Sequence, residues 1–501
     1  MLLLGIDLGT SFIKVSVVDA ASQLLLVSAT WPETEADIST PQPGWAEQHP
    51  DQWWTAVKQA IAQCHTRGKY DPKDIGAIGI SYQMHGLVLT DRQQQVIRPA
   101  IIWCDSRAVS TGDRAFQELG QQYCLQHLLN SPGNFTIAKL AWVKENEPET
   151  YSRINQFMLP GDFIALQLTG ESSVTVSGLS EGICWDFQQQ RISTELLDHY
   201  GLDQQMIPPV QRLFGVHGRV KKEVAAALSL KEGIPVTYKA GDQLNNALAL
   251  HVLQPGEVAA TAGTSGVIYA VSGTPDYDPL SRVNSFAHVN YTSQQPRIGV
   301  LLCINGAGIF NRWIKQIAGH PADYAALNQL AVSAPAGAEG LLALPFGNGA
   351  ERMLENKLPG AGFAGIDLNK HGLPHLIRAV QEGIAFAFRY GMDIMRENGM
   401  EIKLVRAAKA NLFLSDVFSA SFSNINNTAV EFYEGDGSYG AALGAGIGAG
   451  YYKDTNEAGQ YRKPAALLEP DPSAQLEETY QQWKYFLEKS IYAGEAGMSL
   501  S

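Results

Sequence analysis

No run of apolar residues in this 501-residue chain approaches the roughly 20 that a membrane-crossing helix needs, so no membrane association is expected. The opening Met1-Leu2-Leu3-Leu4 has no basic lead and meets Asp7 almost at once, which is not the pattern of a secretory signal. Cysteine is sparse: Cys64, Cys104, Cys124, Cys184 and Cys303 are odd in number and show no C-x-x-C spacing. Neither a disulfide framework nor a zinc site is expected from them, and reduced thiols in a cytoplasmic protein are. Positive charge is also in deficit, with 37 Lys and Arg against 50 Asp and Glu and a net charge of −13. Nucleic acid is therefore not an expected partner, because phosphate-backbone binding needs clustered cations. A nucleotide is not excluded, since its phosphates can be held by backbone N–H groups and a metal. The G-x-x-x-x-G-K-[ST] phosphate loop is missing as well, so any phosphate site has another design. No Gly/Ser tract accounts for the 48 glycines; close backbone approach to a ligand is the other reason to keep them.

What is present is an ordinary globular composition, 45% hydrophobic and 17% charged, in a chain too long for one core. Two large domains are expected. Leu3-Leu4-Gly5-Ile6-Asp7-Leu8 runs into Gly9-Thr10-Ser11 and out through Phe12–Asp19, the pattern of a β-hairpin. Val258–Ala262 runs into Gly263-Thr264-Ser265 and out through Gly266–Tyr269 on the same plan. The repeat distance is far too long for a solenoid and fits two related domains, each starting its own sheet. Between and after the hairpins, strand-like and helical runs alternate as in α/β domains. Strands are expected at Ile75–Ser81, Gly86–Thr90 and Pro235–Ala240, and helices at Asp51–Gln63, Asn245–Leu253, Leu373–Asn398, Gly440–Gly450 and Ser473–Tyr492. The domains expected are 1–246, 247–455 and a tail, 456–501, carrying an amphipathic helix.

A Gly-Thr-Ser turn exposes successive N–H groups and adds neutral hydroxyl donors. Two such turns facing each other across a cleft can hold the β- and γ-phosphates of a nucleotide from both sides; a lone one is equally well a plain hairpin. Asp7, just before the first turn, is a hard oxygen ligand for Mg²⁺, directly or through water. Asp242 lies between a short strand and a helix. It can take the proton of a hydroxyl that attacks a phosphorus in line, or it can be a helix N-cap. Trp103, Asp105 and Arg107 follow the strand Ala100–Ile102, an alternating aromatic, acid and base that can be an ion pair over a buried Trp. His85, in the turn Tyr82-Gln83-Met84-His85, reads from its own neighbourhood as surface decoration.

Several segments in a fixed order carry a family resemblance: Gly5–Ser11, Pro43-Gly44-Trp45-Ala46-Glu47-Gln48, Gln83-Met84-His85-Gly86, Trp103–Arg107, Lys139–Val143, Leu159-Pro160-Gly161-Asp162-Phe163, Leu168–Glu171, Gly241-Asp242-Gln243 and Gly263–Gly266. On these, nearly the whole chain resembles the FGGY carbohydrate kinases. The resemblance implies two actin-like (ribonuclease H-like) α/β domains, as in sugar kinases, heat-shock chaperones and actin, with ATP in the interdomain cleft. It implies Asp242 as general base and Asp7 as the phosphate and magnesium carboxylate. It places Thr10, Ser11, Lys14, Gly263, Thr264, Ser265, Gly308, Ala407, Ala408 and Asn411 beside the nucleotide. On the sugar side it places Gln83, Met84, His85, Gly86, Trp103, Asp105, Arg107 and Gln243. Gln83–Gly86 resembles the loop of members acting on xylulose, so transfer to D-xylulose is the leading expectation. A homodimer is common among resembling kinases.

Three departures bear on this. Gln243-Leu244-Asn245-Asn246 follows the Asp242 position, nearer to members acting on glycerol, which keeps ribulose, glycerol or a tetritol open as the acceptor. Ala407-Ala408-Lys409-Ala410-Asn411 stands where the family has a glycine pair in the adenine-binding turn, a feature that would also suit a non-catalytic sensor. Asn134 replaces a common glycine before Phe135-Thr136, away from the chemistry. An actin-like ATPase that moves or assembles is the remaining alternative, and a mere binder has no need of a general base.

Overall fold

The computed structural model describes residues 1–319, 323–473 and 476–495. Two mixed sheets organise the chain. The first has the strand order Phe214–Arg219, Pro235–Gly241, Ile75–Tyr82, Leu2–Leu8, Ile13–Asp19, Leu25–Trp31. The second runs Asn284–Ala287, Ile298–Ile304, Gly266–Ser272, Glu257–Ala262, Leu404–Ala408, Val430–Tyr433, Ala466–Leu468. Each contains a three-strand antiparallel meander whose first strand lies parallel to two later ones. The duplication read from the two Gly-Thr-Ser hairpins is thus repeated by whole-sheet topology, that of an actin-like α/β fold.

The pairing register sets where loops emerge. Asp7 pairs with Ser81, and Leu8 and Gly241 both pair with Tyr82, so three parallel strands end at one edge. In the second sheet Ala260 pairs with Ala407, and Ala407 with Phe432, with the same result. Parallel strands need crossover helices, and ligands in such sheets bind beyond the carboxyl ends of the strands. The turns after residues 8, 82, 241, 262 and 408 are therefore the ones to inspect.

The helix Gly437–Gly448, near the end of the chain, packs on the first sheet. Its small residues permit close approach: a Cβ at Gly79 would fall 2.0 Å from the Ala441 carbonyl oxygen. The segment after it is tied to the same sheet, where the Tyr452 hydroxyl donates to the Ala20 carbonyl at 2.7 Å in a buried setting. A Tyr452→Phe variant should lose about 1 kcal/mol of stability, read by urea denaturation as a lower midpoint with unchanged slope. An unaltered midpoint would mean the segment is not held there.

Local expectations mostly hold, with shifted ends. The helices run Pro50–Arg67 and Leu373–Glu397, and the small-residue helix starts at Gly437. The second strand of the polar-turn pair is only Val88–Thr90. The last helix is Glu477–Glu495; residues 474 and 475 of the expected span lie outside the described residues. One correction matters for chemistry. The helix expected at Asn245–Leu253 is Asp242–Ala249, with Gly241 at the cap position and no side-chain capping bond. Asp242 is the first helical residue, one place beyond the N-cap the sequence allowed.

Candidate active site

Asp7, His85 and Asp242 come from three adjacent strand ends of the first sheet. Asp242 is half-buried, and its carboxyl is pushed up to about 7, by burial first and by the Asp7 charge second. The Gln243 backbone and side chain pull it partly back. Asp7 is also raised by burial, opposed by the Ser81 hydroxyl, reinforced by Asp436 and relieved by Lys14. Gly437 lies against the Asp7 carboxylate, where a Cβ would come within 2.5 Å of Oδ2. Lys14 pairs loosely with Asp436 at 3.7 Å. Two carboxylates and a lysine therefore meet where the first hairpin faces the Gly437–Gly448 helix.

Of the four residues in the sugar-loop motif, His85 alone is not fully buried. Gln83 is 2% exposed, and its amide is spent inside, accepting from the Thr10 hydroxyl and donating to Gln48 Oε1, both at 3.2 Å. Met84 packs on Gly241, and Gly86 on Pro160. His85 sits at φ 61°, an uncommon setting for a non-glycine residue. Its Nδ1 is 2.9 Å from the Glu181 carbonyl, which only accepts, so Nδ1 carries the proton. Burial, with Lys139 and Arg352 adding to it, lowers its pKa to about 3. The ring is therefore neutral and Nε2 is left as an acceptor. Lys139 Nζ holds the loop by donating to the His85 and Ile102 carbonyls at 2.8 and 3.0 Å.

The Trp103, Asp105 and Arg107 group divides. Asp105 is 0% exposed, accepts from the Ala46 N–H at 2.6 Å and pairs with Arg107, whose guanidinium lies 3.7 Å from the Trp45 ring centroid. Arg107 also reaches Glu47 at 2.8 Å. This is the ion pair over an aromatic ring, with Trp45 as the ring, and it is enclosed. Trp103 stays half exposed and donates to the Thr10 hydroxyl at 2.9 Å. Gln243 is half-buried beside Asp242.

On the second sheet, Gly263, Thr264, Gly308, Asn311, Tyr324 and Asn411 line a cavity of about 590 Å³. Asn311 Oδ1 is buried there with no hydrogen-bond partner, and Tyr324 offers an exposed ring for a flat base. Asn411 adopts φ 54°, and its amide faces Gly263. Ser265 completes the hairpin turn, as Ser11 does in the first. The alanine pair is a correction: Ala407 and Ala408 are the last residues of a strand, Ala407 is 0% exposed, and neither lines the cavity. Their methyl groups thus do not crowd the turn, which is Lys409-Ala410.

Tyr324, Asn311, Glu181, Glu351 and Arg352 were not singled out from sequence. Glu181 is 0% exposed, accepts from the His85 N–H at 3.3 Å and has an unpartnered Oε2 against Gly241. Burial, and then Asp242 and Asp162, raise it well above the usual range despite the His85 bond. Glu351 accepts from the Asn305 N–H at 2.9 and 3.1 Å, just ahead of the helix Ala307–Ile317. Among the described residues, no cluster of three or more His, Cys, Asp or Glu could cage a metal. No described helix is long and apolar enough to cross a membrane.

Residues 2–249 match the N-terminal domain, and residues 258–448 the C-terminal domain, of the FGGY family of carbohydrate kinases. The xylulose kinase of Bacillus subtilis is 29% identical over 98% of this chain and 96% of its own. That of Escherichia coli is 30% identical over 88% of each. The crystal structure of xylulose kinase from Rhodospirillum rubrum superposes with a TM-score of 0.87 at 26% identity, covering 98% of this chain and 99% of that one.

Proposed function

The chain belongs to the FGGY family of carbohydrate kinases, and from that premise we propose that it phosphorylates a ketopentose, D-xylulose first. The observation that carries the reading is the meeting of Asp7 and Asp242 at neighbouring strand ends, with the Asp242 carboxyl pushed up to about 7. A base with that affinity for protons ionises at working pH yet still accepts one as the alkoxide forms. The acceptor hydroxyl approaches Asp242, and His85 Nε2 accepts from a neighbouring hydroxyl. As the oxygen–phosphorus bond forms and the bond from Pγ to the bridging oxygen breaks, the hydroxyl proton passes to Asp242 and ADP departs.

The Thr10 and Thr264 hairpins, with Ser11 and Ser265, hold the phosphates, and Lys14 leaves Asp436 for them. Asn311, Asn411 and Tyr324 hold the nucleoside, and Gly308 leaves the room the hairpin needs. Mg²⁺ fits this donor set as a companion of the nucleotide, because Asp7 and Asp436 supply hard oxygens and phosphates and water complete the shell. When bound, it neutralises phosphate charge. Trp103 steadies Thr10, and the enclosed Asp105–Arg107 pair braces the strand end beneath it.

ADP release with Mg-ATP across ketopentoses, ketohexoses, glycerol and tetritols tests this. D-xylulose should give the highest kcat/KM, at least about tenfold above the rest. A different best acceptor would retain the kinase and transfer specificity to the wall at Gln243, the residue that favours that second reading. No ADP release from any acceptor would defeat the proposal.

A further inference from the structure

Arg352 is a cation in the wrong surroundings for a structural one. It belongs to the turn Arg352–Leu354 of the second half, and its guanidinium lies against Phe135 and Gly133 of the first as well as Ser281 of the second. The guanidinium is 5.9 Å from the Phe135 ring, and Phe135 meets the His85 ring edge-on at 4.8 Å. Nη2 lies over Gly133, where a Cβ would sit 3.4 Å away. Its hydrogen bonds are two long ones from Nη1, to the Ser281 carbonyl and hydroxyl at 3.3 and 3.4 Å. No carboxylate among the described residues is within ion-pair distance, unlike Arg107, Arg282, Arg378 or Arg406. Burial lowers its pKa, with Cys303 and then Asp113 offsetting that.

Arg352 is only partly buried, and no carboxylate among the described residues holds its guanidinium. A planar fork with donors to spare suits a ligand oxygen. Its place in the cleft follows from the neighbours. Cys303, exposed near the end of the strand Ile298–Ile304, feels both the Asp242 and the Arg352 charge. Arg352 does act on His85. Arg352 thus reaches the His85 side of the site across the Phe135 ring.

We propose that Arg352 is a substrate-binding residue contributed by the second domain, hydrogen-bonding an acceptor oxygen at the end remote from the hydroxyl that Asp242 activates. The proposal rests on the sugar-kinase reading and adds to it a ligand chemistry: a polyhydroxylated chain bearing a carbonyl, hydroxyl or carboxylate oxygen at its far end. It also explains how a sugar held by the first domain draws in the second. Glu351, next in the chain, holds the Asn305 and Gly306 backbone ahead of the helix whose Gly308 lies on the second phosphate hairpin.

The test measures binding by tryptophan fluorescence without nucleotide, so it needs no turnover. D-xylulose, 1-deoxy-D-xylulose and D-xylonate are titrated into the full chain and into Arg352→Met and Arg352→Lys. Wild type should bind D-xylulose about 10- to 100-fold more tightly than the 1-deoxy analogue. Arg352→Met should abolish that difference by weakening D-xylulose, and Arg352→Lys should recover part of it. A wild-type preference for D-xylonate that Arg352→Met removes supports the same contact with a sugar acid. If Arg352→Met fails to fold, Arg352→Lys against wild type carries the comparison. Affinities within twofold of wild type in a folded variant, or no binding of any of the three ligands by wild type, overturn the assignment. Loss of the ketopentose reading alone would show differently, as ADP release from another acceptor with the Arg352 effect intact.

Discussion

An Asp242→Asn variant loses turnover by about 10²- to 10⁴-fold and keeps its affinity for ATP. The substitution preserves shape and removes the one atom able to take the hydroxyl proton. Asp242 starts the helix Asp242–Ala249, and its carboxylate accepts from the Gln243 backbone and side chain, bonds that an Asn Oδ1 can keep. The pH dependence supplies an independent readout. The Asp242 carboxyl titrates at about 7 rather than near 3.8, chiefly through burial. Below that pH the group already holds a proton and cannot accept another. Wild-type kcat/KM for the sugar should therefore rise as pH passes upward through about 7, and the residual rate of the variant should lack that limb. Stability moves oppositely. A folded pKa raised above the unfolded value means that native stability falls as pH rises from the unfolded pKa to the folded one. At pH 8 the native state carries the whole cost of a buried charge, and Asp242→Asn should melt at a higher temperature. Near-normal turnover in the variant would end the general-base assignment. A lower melting temperature would mean the carboxylate is better paired than burial implies.

How much was readable depended on whether the information was local. Gly9-Thr10-Ser11 and Gly263-Thr264-Ser265 were legible because a turn of small residues between β-branched runs is a local event, and its recurrence exposed the duplication. Asp242 was legible as a carboxylate after a short strand, though its exact helical position was not, because helix ends depend on which N–H groups find partners. Gln83 could not be read correctly. Its motif places it on the sugar, but the chain at the end of the Ile75–Tyr82 strand turns its amide inward to Thr10 and Gln48. The alanine pair was assigned to a turn because nothing local reveals that pairing with Ala260 and Phe432 carries the strand to Ala408. Glu181, Glu351 and Arg352 lack a signal in their own neighbourhoods. What distinguishes them is a missing partner or a contact across distant segments. Burial of an acid with an idle oxygen, or a guanidinium left without a carboxylate, is visible only once the chain is folded.

A Gly308→Ala variant should raise the KM for ATP by about 10²-fold while sugar binding without nucleotide stays as in wild type. Gly308 is the second residue of the helix Ala307–Ile317, and its Cα faces the second phosphate hairpin. A methyl there would fall 1.9 Å from the Gly263 carbonyl oxygen and 3.3 Å from the Thr264 Cα. Both are backbone atoms, so no side chain can swing aside; the hairpin or the helix must retreat by more than 1 Å. The Ile309 N–H, which donates to the Thr264 carbonyl at 3.1 Å, would be strained by the same shift. Displacements of that size in a positioning element cost about 10²-fold in enzymes that act mainly by alignment. The sign makes the test clean. Alanine is the better helix former by about 1 kcal/mol, so helix propensity alone would stabilise the variant. Weakened ATP handling in a protein that melts no lower than wild type therefore reports on the hairpin. An unchanged KM for ATP would mean that Gly263 and Thr264 do not hold the phosphates, and that the first hairpin carries that work alone.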